Sequence, residues 1–305
     1  MQAESKKAIY AAFGANLGVA VAKFIGFGIT GAASMLAEAV HSVADTGNQG
    51  LLLFGRSRAK RAASFDHPFG YGMERYFWAF VVAVVIFFLG GVFAISEGIE
   101  KLMHPHELKD PLVAVGILVA GLILEGLSLA TAVRETNKVR GSLSMWQFVK
   151  HTKNAELPVV LLEDFGALVG LSLALIGIGI AYTTGDPRFD AAGSLAIGVL
   201  LCIISIILAR EMRSLLTGEA ARPEQLKLIR DTLESNDRVK RIIHMRTMHF
   251  GPTELLVAAK LEFDHSLSFD ELTACINRIE AAVREAIPLV KNLYIEPDIY
   301  RPPEN

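Results

Sequence analysis

Six apolar runs, each long enough to cross a lipid bilayer, constrain this chain more than any other feature of its sequence. They lie roughly at residues 8–31, 33–55, 77–101, 111–133, 157–182 and 189–209. A helix needs about 20 apolar residues to cross about 30 Å of hydrocarbon. The 305 residues are 52% hydrophobic and only 20% charged, which is typical of a membrane protein. We therefore predict an α-helical membrane protein with six transmembrane helices in residues 1–215.

The distribution of basic residues indicates the orientation of these helices. Lysine and arginine crowd the loops after the second and fourth runs, at residues 56–75 and 134–153, and few occur in the loops after the third and fifth. Short loops rich in lysine and arginine stay on the cytoplasmic side. We expect a multi-pass protein with both termini in the cytoplasm, most simply in the bacterial inner (plasma) membrane.

From residue 216 the sequence becomes charged and amphipathic. A helix that begins near Pro223 is followed by strands Arg238–Met248 and Glu254–Phe263, a helix Phe269–Ile287 and a strand Leu293–Glu296. This order predicts a small cytoplasmic α+β domain, αββαβ, of the ferredoxin-like or metallochaperone-like kind, in residues 216–305.

A stripe of polar side chains interrupts the second apolar run. Glu38, His41, Asp45 and Asn48 are spaced to fall on one face of a helix. Ionisable groups at membrane depth are costly, and they normally face a bundle interior, a water-filled path or a bound ion. The stripe therefore points to a site inside the membrane domain.

The fifth run carries a second polar pair, Glu163 and Asp164. Two carboxylates in hydrocarbon need either protons or a cation. Together with His41 and Asp45 they make four donors from two helices, the number that a tetrahedral divalent metal takes. The alternative is that the four groups form hydrogen bonds or ion pairs between helices without a metal. Because metal binding needs a neutral imidazole and ionised carboxylates, metal and protons would compete for one set of groups, with His41 titrating nearest neutral pH.

Two motifs carry a resemblance to a known family. The segment Ala37–Gln49, AEAVHSVADTGNQ, and the loop Asp66–Gly72, DHPFGYG, resemble the cation diffusion facilitator family of metal exporters. Six spans and an αββαβ tail agree with it, and the run Leu161–Asp164 is most similar to the branch that contains the mitochondrial zinc transporter of animals. The resemblance implies a homodimer in which each protomer exchanges one divalent cation for protons by alternating access. Zinc is the expected ion, with manganese, iron or cobalt as alternatives.

The ligands carried over by this resemblance are His41 and Asp45 in the second span and Asp164 in the fifth. The chain departs from the family pattern at Val160, where a fourth ligand is usual. Glu163 is our candidate for the missing ligand. Glu125, Glu38 and water are the other candidates. A site with one imidazole and several carboxylates is a harder donor set than a site with two imidazoles. This weakens the case for zinc and strengthens the case for manganese or iron. Zinc remains the expected ion because of the resemblance to the zinc transporter branch.

Accessory metal positions of the family are depleted in this chain. In the loop, Asp66 and His67 remain but Tyr71 replaces a histidine. In the tail, His244, Glu296 and Asp298 match metal positions, whereas Lys260 and Thr273 replace histidines. A protonated lysine cannot bind a metal, so we expect a tail that dimerises without one.

Other functional classes fit the sequence less well. A membrane metal sensor or scaffold is the main alternative, and the depleted tail ligands argue against it. An intramembrane metallohydrolase would need a motif such as HExxH, which is absent, as are P-loop and GxSxG motifs. We therefore expect a transporter and not an enzyme. Its partners would be a divalent cation, protons, the bilayer and a second copy of the chain, with no tightly bound cofactor and no nucleic acid.

Overall fold

The computed structural model of the protein describes residues 17–302. The first part of the first predicted span, residues 8–16, lies outside the described residues. The described chain forms two compact units: residues up to 57 with residues 77–213, and residues 58–76 with residues from 214 onward. Each unit is described below by itself.

Helices make up the membrane domain. In chain order they are α1 Leu17–Thr30, α2 Ala33–Arg58, α3 Glu74–Val85, a π-helical segment Ile86–Val92, α4 Phe93–Met103, α5 Pro111–Val139, α6 Met145–His151, α7 Glu156–Thr184 and α8 Arg188–Thr217. The α3, π-helical and α4 segments form one continuous helix, Glu74–Met103.

Four of these helices are long and apolar enough to cross a membrane: Glu74–Met103, α5, α7 and α8. The described part of α1 is shorter. Helix α2 has 26 residues, of which fourteen are buried. Half of the buried residues are polar, which explains why composition alone does not mark α2 as a span. The protein is thus a helical membrane protein, and the count of six spans stays a prediction.

The N-terminal end of α2 is fixed by residues from other helices. The carboxylate of Asp190 in α8 accepts hydrogen bonds from the backbone N–H groups of Ala33 at 2.6 Å and Ser34 at 3.2 Å, and from the Ser34 hydroxyl. The Lys101 ammonium donates to the carbonyl of Gly31. A helix N-terminus leaves unsatisfied N–H groups, and Asp190 supplies the acceptor that the local sequence of α2 lacks.

Glycines allow the π-helical segment to approach α8 closely. A Cβ atom at Gly91 would lie 3.1 Å from the backbone nitrogen of Cys202 and 3.2 Å from the carbonyl oxygen of Gly198. Small residues at helix crossings are typical of membrane proteins, because dispersion contacts hold helices together in lipid. Gly91 thus lets this helix approach the backbone of α8.

The tail contains α9 Pro223–Glu234, β1 Val239–Gly251, β2 Glu254–Phe263, α10 Phe269–Ala286 and β3 Val290–Pro297. The sheet order is β1-β2-β3, with β2 antiparallel to β1 and parallel to β3. Alternate residues of β2 face the helices and form the core with residues of α10, among them Leu255, Val257, Leu261, Ile279 and Val283. The element order is the predicted one, and β1 and β3 extend beyond their predicted ends.

The loop between α2 and α3 belongs to the same unit as the tail. The Phe69 ring stacks on the Phe250 ring at 4.8 Å between centroids. A Cβ atom at Gly251 would meet Gly72 at 3.0 Å. The DHPFGYG motif therefore packs on the turn between β1 and β2.

Candidate metal site

The polar stripe predicted on α2 is buried. Glu38 and Asn48 are 0% exposed, His41 is 1% exposed and Asp45 is 9% exposed. Each has at least one side-chain atom without a hydrogen-bond partner among the described residues: Glu38 Oε1, both ring nitrogens of His41, Asp45 Oδ1 and Asn48 Oδ1. Buried polar atoms are nearly always paired in folded proteins. A row of unpaired atoms on one helix face is therefore a feature that needs a ligand, a proton or water to complete it.

A small cavity of about 20 Å³ lies beside this stripe. It is lined by Val19, Ser42, Asp45, Gln49, Glu125, Ser128, Glu163 and Asp164. Four carboxyl groups from three helices thus converge on a space for about one water-sized particle. His41 is not among the lining residues, but its Nδ1 lies 3.4 Å from Asp45 Oδ1.

Hydrogen bonds hold the two carboxylates of α7 in place. Asn48 Nδ2 of α2 donates to Glu163 Oε1 at 2.8 Å. The Ser128 hydroxyl of α5 donates to Asp164 Oδ2 at 2.8 Å. Such outer contacts orient the ligands of metal sites and tune their affinity. Helical spacing predicts Asn48 on the stripe. It does not predict Ser128, because a single serine in an apolar helix carries no distinguishing pattern.

The imidazole of His41 lies near the π-helical segment. A Cβ atom at Gly90 would be 3.7 Å from His41 Nδ1 and 3.0 Å from Leu201 Cδ1. π-Helical turns inside α-helices occur frequently at functional sites. The absence of a side chain at Gly90 leaves room beside the ring nitrogen.

Val160 takes no part in this cavity. Its side chain packs against a small apolar cluster formed by Ala132, Val149 and Leu161. Among the candidates for a fourth ligand, Glu163 and Glu125 line the cavity, and Glu38 does not. Within residues 17–302, no group of three or more His, Cys, Asp or Glu side chains has the arrangement of a formed metal site.

The accessory loop residues make ordinary loop contacts. The His67 ring stacks on the Tyr71 ring at 4.4 Å between centroids, and the backbone N–H and carbonyl of His67 pair with Ser64. Neither Asp66 nor His67 belongs to a group of three or more potential ligands in the described chain.

In the tail, Lys260 occupies the centre of the accessory position. Its ammonium lies 2.9 Å from Glu296 Oε1 and 2.9 Å from Asp298 Oδ2. His244, Lys260 and Glu296 are in register across the three strands. Hydrogen bonds from Lys260 to Asp298 and then Glu296 raise the pKa of the lysine, so it keeps its charge. These residues do not fit a metal ion while Lys260 is present.

Comparison with protein-family models identifies both parts of the chain. A model described as the cation efflux transmembrane domain matches residues 9–217, and one described as the cation efflux protein cytoplasmic domain matches residues 221–300.

Curated relatives agree with this assignment. The Xenopus laevis protein named proton-coupled zinc antiporter SLC30A9, mitochondrial, is 34% identical over 245 residues, which are 79% of this chain and 44% of the relative. The human protein of that name is 33% identical over 244 residues, 79% of this chain and 43% of the relative. The cation-efflux pump FieF of Serratia proteamaculans is 26% identical over 267 residues, 87% of this chain and 83% of the relative. The chain thus spans less than half the length of the SLC30A9 relatives.

Among solved structures, the tail is similar to MamM CTD in a nickel form, at 16% identity and a TM-score of 0.25, over 26% of this chain and 100% of that one.

Proposed function

The chain belongs to the cation efflux family, also called cation diffusion facilitators, and from this premise we propose that it exports a divalent transition-metal cation in exchange for protons. Members of this family are transporters and not enzymes. The observation that supports the proposal most directly is the row of unpaired buried atoms on α2 beside a cavity that the carboxylates of α7 share.

We propose His41, Asp45, Asp164 and Glu163 as the groups that hold the cation. Asp45, Glu163 and Asp164 already line one cavity, and His41 adjoins Asp45. In the proposed cycle, protons take the place of the cation on some of these groups when it is absent. The cation displaces those protons, because it binds only neutral imidazole and ionised carboxylate. Binding on one side and release on the other then couples cation export to proton entry.

Zinc is the proposed principal cargo. Imidazole with carboxylates suits zinc, and the relatives at 33–34% identity are named zinc antiporters. A donor set with a single imidazole also suits manganese, iron and cobalt, which the assay below separates.

The architecture that we propose for this activity has six spans, with residues 1–215 in the membrane and residues 216–305 as a cytoplasmic tail. Both termini lie in the cytoplasm, and the location is the bacterial inner membrane. Two copies assemble through the tail, in agreement with the match of residues 221–300 to the family's cytoplasmic domain. In alternating access, the cavity opens first to one side of the membrane and then to the other.

Transport by purified protein in liposomes tests the proposal. With a proton gradient imposed across the liposome membrane, wild type is expected to move Zn²⁺, and Asp45→Asn and Asp164→Asn are expected to reduce the rate by at least about a hundredfold through the loss of a ligand charge. The substitution Val43→Ala, at an exposed position of α2, serves as the matched control. Transport of none of Zn²⁺, Mn²⁺, Fe²⁺ and Co²⁺ by wild type, or normal transport by both aspartate variants, would contradict the proposal.

A further inference from the structure

The membrane domain contains one buried lysine, Lys23, among its described residues near the polar stripe of α2. Lys23 of α1 is 0% exposed, and its ammonium lies 3.1 Å from Glu38 Oε2 and 2.7 Å from the Ser42 hydroxyl of α2. Burial of an ammonium group costs several kcal/mol unless nearby acceptors compensate it. Both acceptors come from the helix that carries the polar stripe, so this lysine is tied to α2.

The acceptors of Lys23 lie next to the proposed cation ligands. Glu38 is three residues before His41 on the same helix face, about one turn or 4.5 Å along the axis. Ser42 directly follows His41 and lines the cavity that Asp45 lines. The lysine therefore contacts one residue before and one residue after the proposed ligand His41 in the sequence of α2.

Glu38 retains one free oxygen. Its Oε2 pairs with Lys23, whereas its Oε1 has no partner among residues 17–302. A Cβ atom at Gly170 of α7 would lie 2.5 Å from Oε1. The glycine thus gives the carboxylate room between α2 and α7, the two helices that supply the proposed ligands. Without the lysine, both oxygens of this carboxylate would be free to bind a cation one helical turn from His41.

We propose that Lys23 is a positioning residue that determines ion specificity: its ammonium neutralises Glu38 and so keeps that carboxylate out of the set of groups that binds the transported cation. The inference rests on the proposed function. With Lys23 present, the donors are one imidazole and the carboxylates near it. Without Lys23, the stripe gains one more carboxylate and loses one positive charge that repels other cations.

The substitution Lys23→Met tests this role. A further carboxylate makes the donor set harder, which favours Mn²⁺ over Zn²⁺. The ratio of kcat/KM for Mn²⁺ to that for Zn²⁺ is expected to rise about tenfold, which corresponds to about 1.4 kcal/mol of differential binding. KM and kcat for Zn²⁺ are both expected to fall, because an extra ligand binds the ion more tightly and slows its release.

The double substitution Lys23→Met with Glu38→Gln is the matched control, because it removes both charges together. If Lys23 acts by neutralising Glu38, the double variant regains the wild-type Mn²⁺ to Zn²⁺ ratio. If Lys23 only holds α1 against α2, the single and double variants are impaired alike and the ratio stays at the wild-type value in both.

The outcomes separate this inference from the proposed function. Wild type that moves no cation overturns the proposed function. Wild type that moves Zn²⁺, with a folded Lys23→Met variant of unchanged ion ratio, overturns only the role of Lys23. The single variant Lys23→Met could fail to fold. In that case, a double variant that folds and transports with the wild-type Mn²⁺ to Zn²⁺ ratio supports the inference. A double variant that also fails to fold overturns it. The unfolding temperature of each purified variant reports folding.

Discussion

The members of the buried stripe on α2 differ in their surroundings, and these differences suggest separate roles. Glu38 is paired with Lys23, and Asn48 donates to Glu163. Both ring nitrogens of His41 lack a hydrogen-bond partner among the described residues, and Asp45 lines the cavity. The two ends of the stripe are thus held by other helices, and the two proposed ligands in the middle remain available to a cation and to protons.

Asn48 provides the first residue-level prediction. Asn48→Ala removes the donor that holds Glu163 Oε1 and leaves a buried carboxylate without that contact. Loss of an outer contact of a metal ligand typically weakens metal binding about 10–100-fold. We expect KM for Zn²⁺ to rise by about tenfold with a smaller change in kcat, measured by initial uptake rates. Val43→Ala, at an exposed position of α2, is the control. An unchanged KM in Asn48→Ala would show that Glu163 needs no such support.

Spacing in the sequence was sufficient to predict which residues of α2 share a face, because a helix repeats every 3.6 residues. It could not predict that Asn48 meets Glu163, 115 positions away, or that Lys23 meets Glu38. These pairs depend on how each helix is rotated toward its neighbours. No local pattern in the sequence determines that rotation.

At the scale of elements, the π-helical segment Ile86–Val92 is the feature that sequence reasoning missed. The run reads as an uninterrupted apolar helix, and the hydrogen bonds of a π-helix have no compositional signal beyond the Gly90-Gly91 pair. Helix α2, in contrast, is predictable as a helix despite its low apolar content. Its polar residues recur at helical spacing on one face, which is not typical of a loop.

Substitution of Gly91 tests the close packing of this segment. Gly91→Ala places a Cβ atom 3.1 Å from the backbone nitrogen of Cys202. To relieve this contact, the backbone of α8 would have to shift. Overpacking of this kind costs about 1–3 kcal/mol. We expect a lower unfolding temperature in detergent and slower Zn²⁺ transport.

Gly179→Ala is the matched control for that substitution. Gly179 in α7 has no described atom within 4 Å of a Cβ position, and alanine is the better helix former. Its unfolding temperature is expected to stay equal or to rise. Equal unfolding temperatures of the two alanine variants would contradict the close packing of Gly91 against α8.

The tail sheet gives a second prediction at this scale. Lys260 lies between Glu296 and Asp298, and a metal ion would need that position. Lys260→His replaces the ammonium by an imidazole beside His244, Glu296 and Asp298. In an Asp45→Asn and Asp164→Asn background, which removes the proposed membrane ligands, Zn²⁺ should raise the unfolding temperature of the Lys260→His variant. The same background with Lys260 intact should not respond. A response of equal size in both would show that the lysine does not exclude the metal.

At the scale of the whole molecule, the fold class followed from the lengths of the apolar runs and from the αββαβ order of the tail. Apolar length is a strong signal because lipid demands it, and strand alternation is a strong signal because one face of the sheet is buried. The grouping of residues 58–76 with the tail had no such signal. It depends on contacts such as the stacking of Phe69 on Phe250, between residues far apart in the chain.

At this scale, the proposed exchange requires that one set of groups bind both protons and a divalent cation. In the proposed cycle, His41 and the carboxylates around the cavity would bind protons in one half and a divalent cation in the other. Cation movement in one direction must therefore be accompanied by proton movement in the other, in the same protein and through the same residues.

The most direct test is to record internal pH and internal Zn²⁺ together in liposomes that contain the purified protein. With acid inside and Zn²⁺ added outside, wild type should take up Zn²⁺ and release protons in parallel, and both signals should disappear in Asp45→Asn. Zn²⁺ uptake by wild type without any proton movement, or proton release that persists unchanged in Asp45→Asn, would contradict the account.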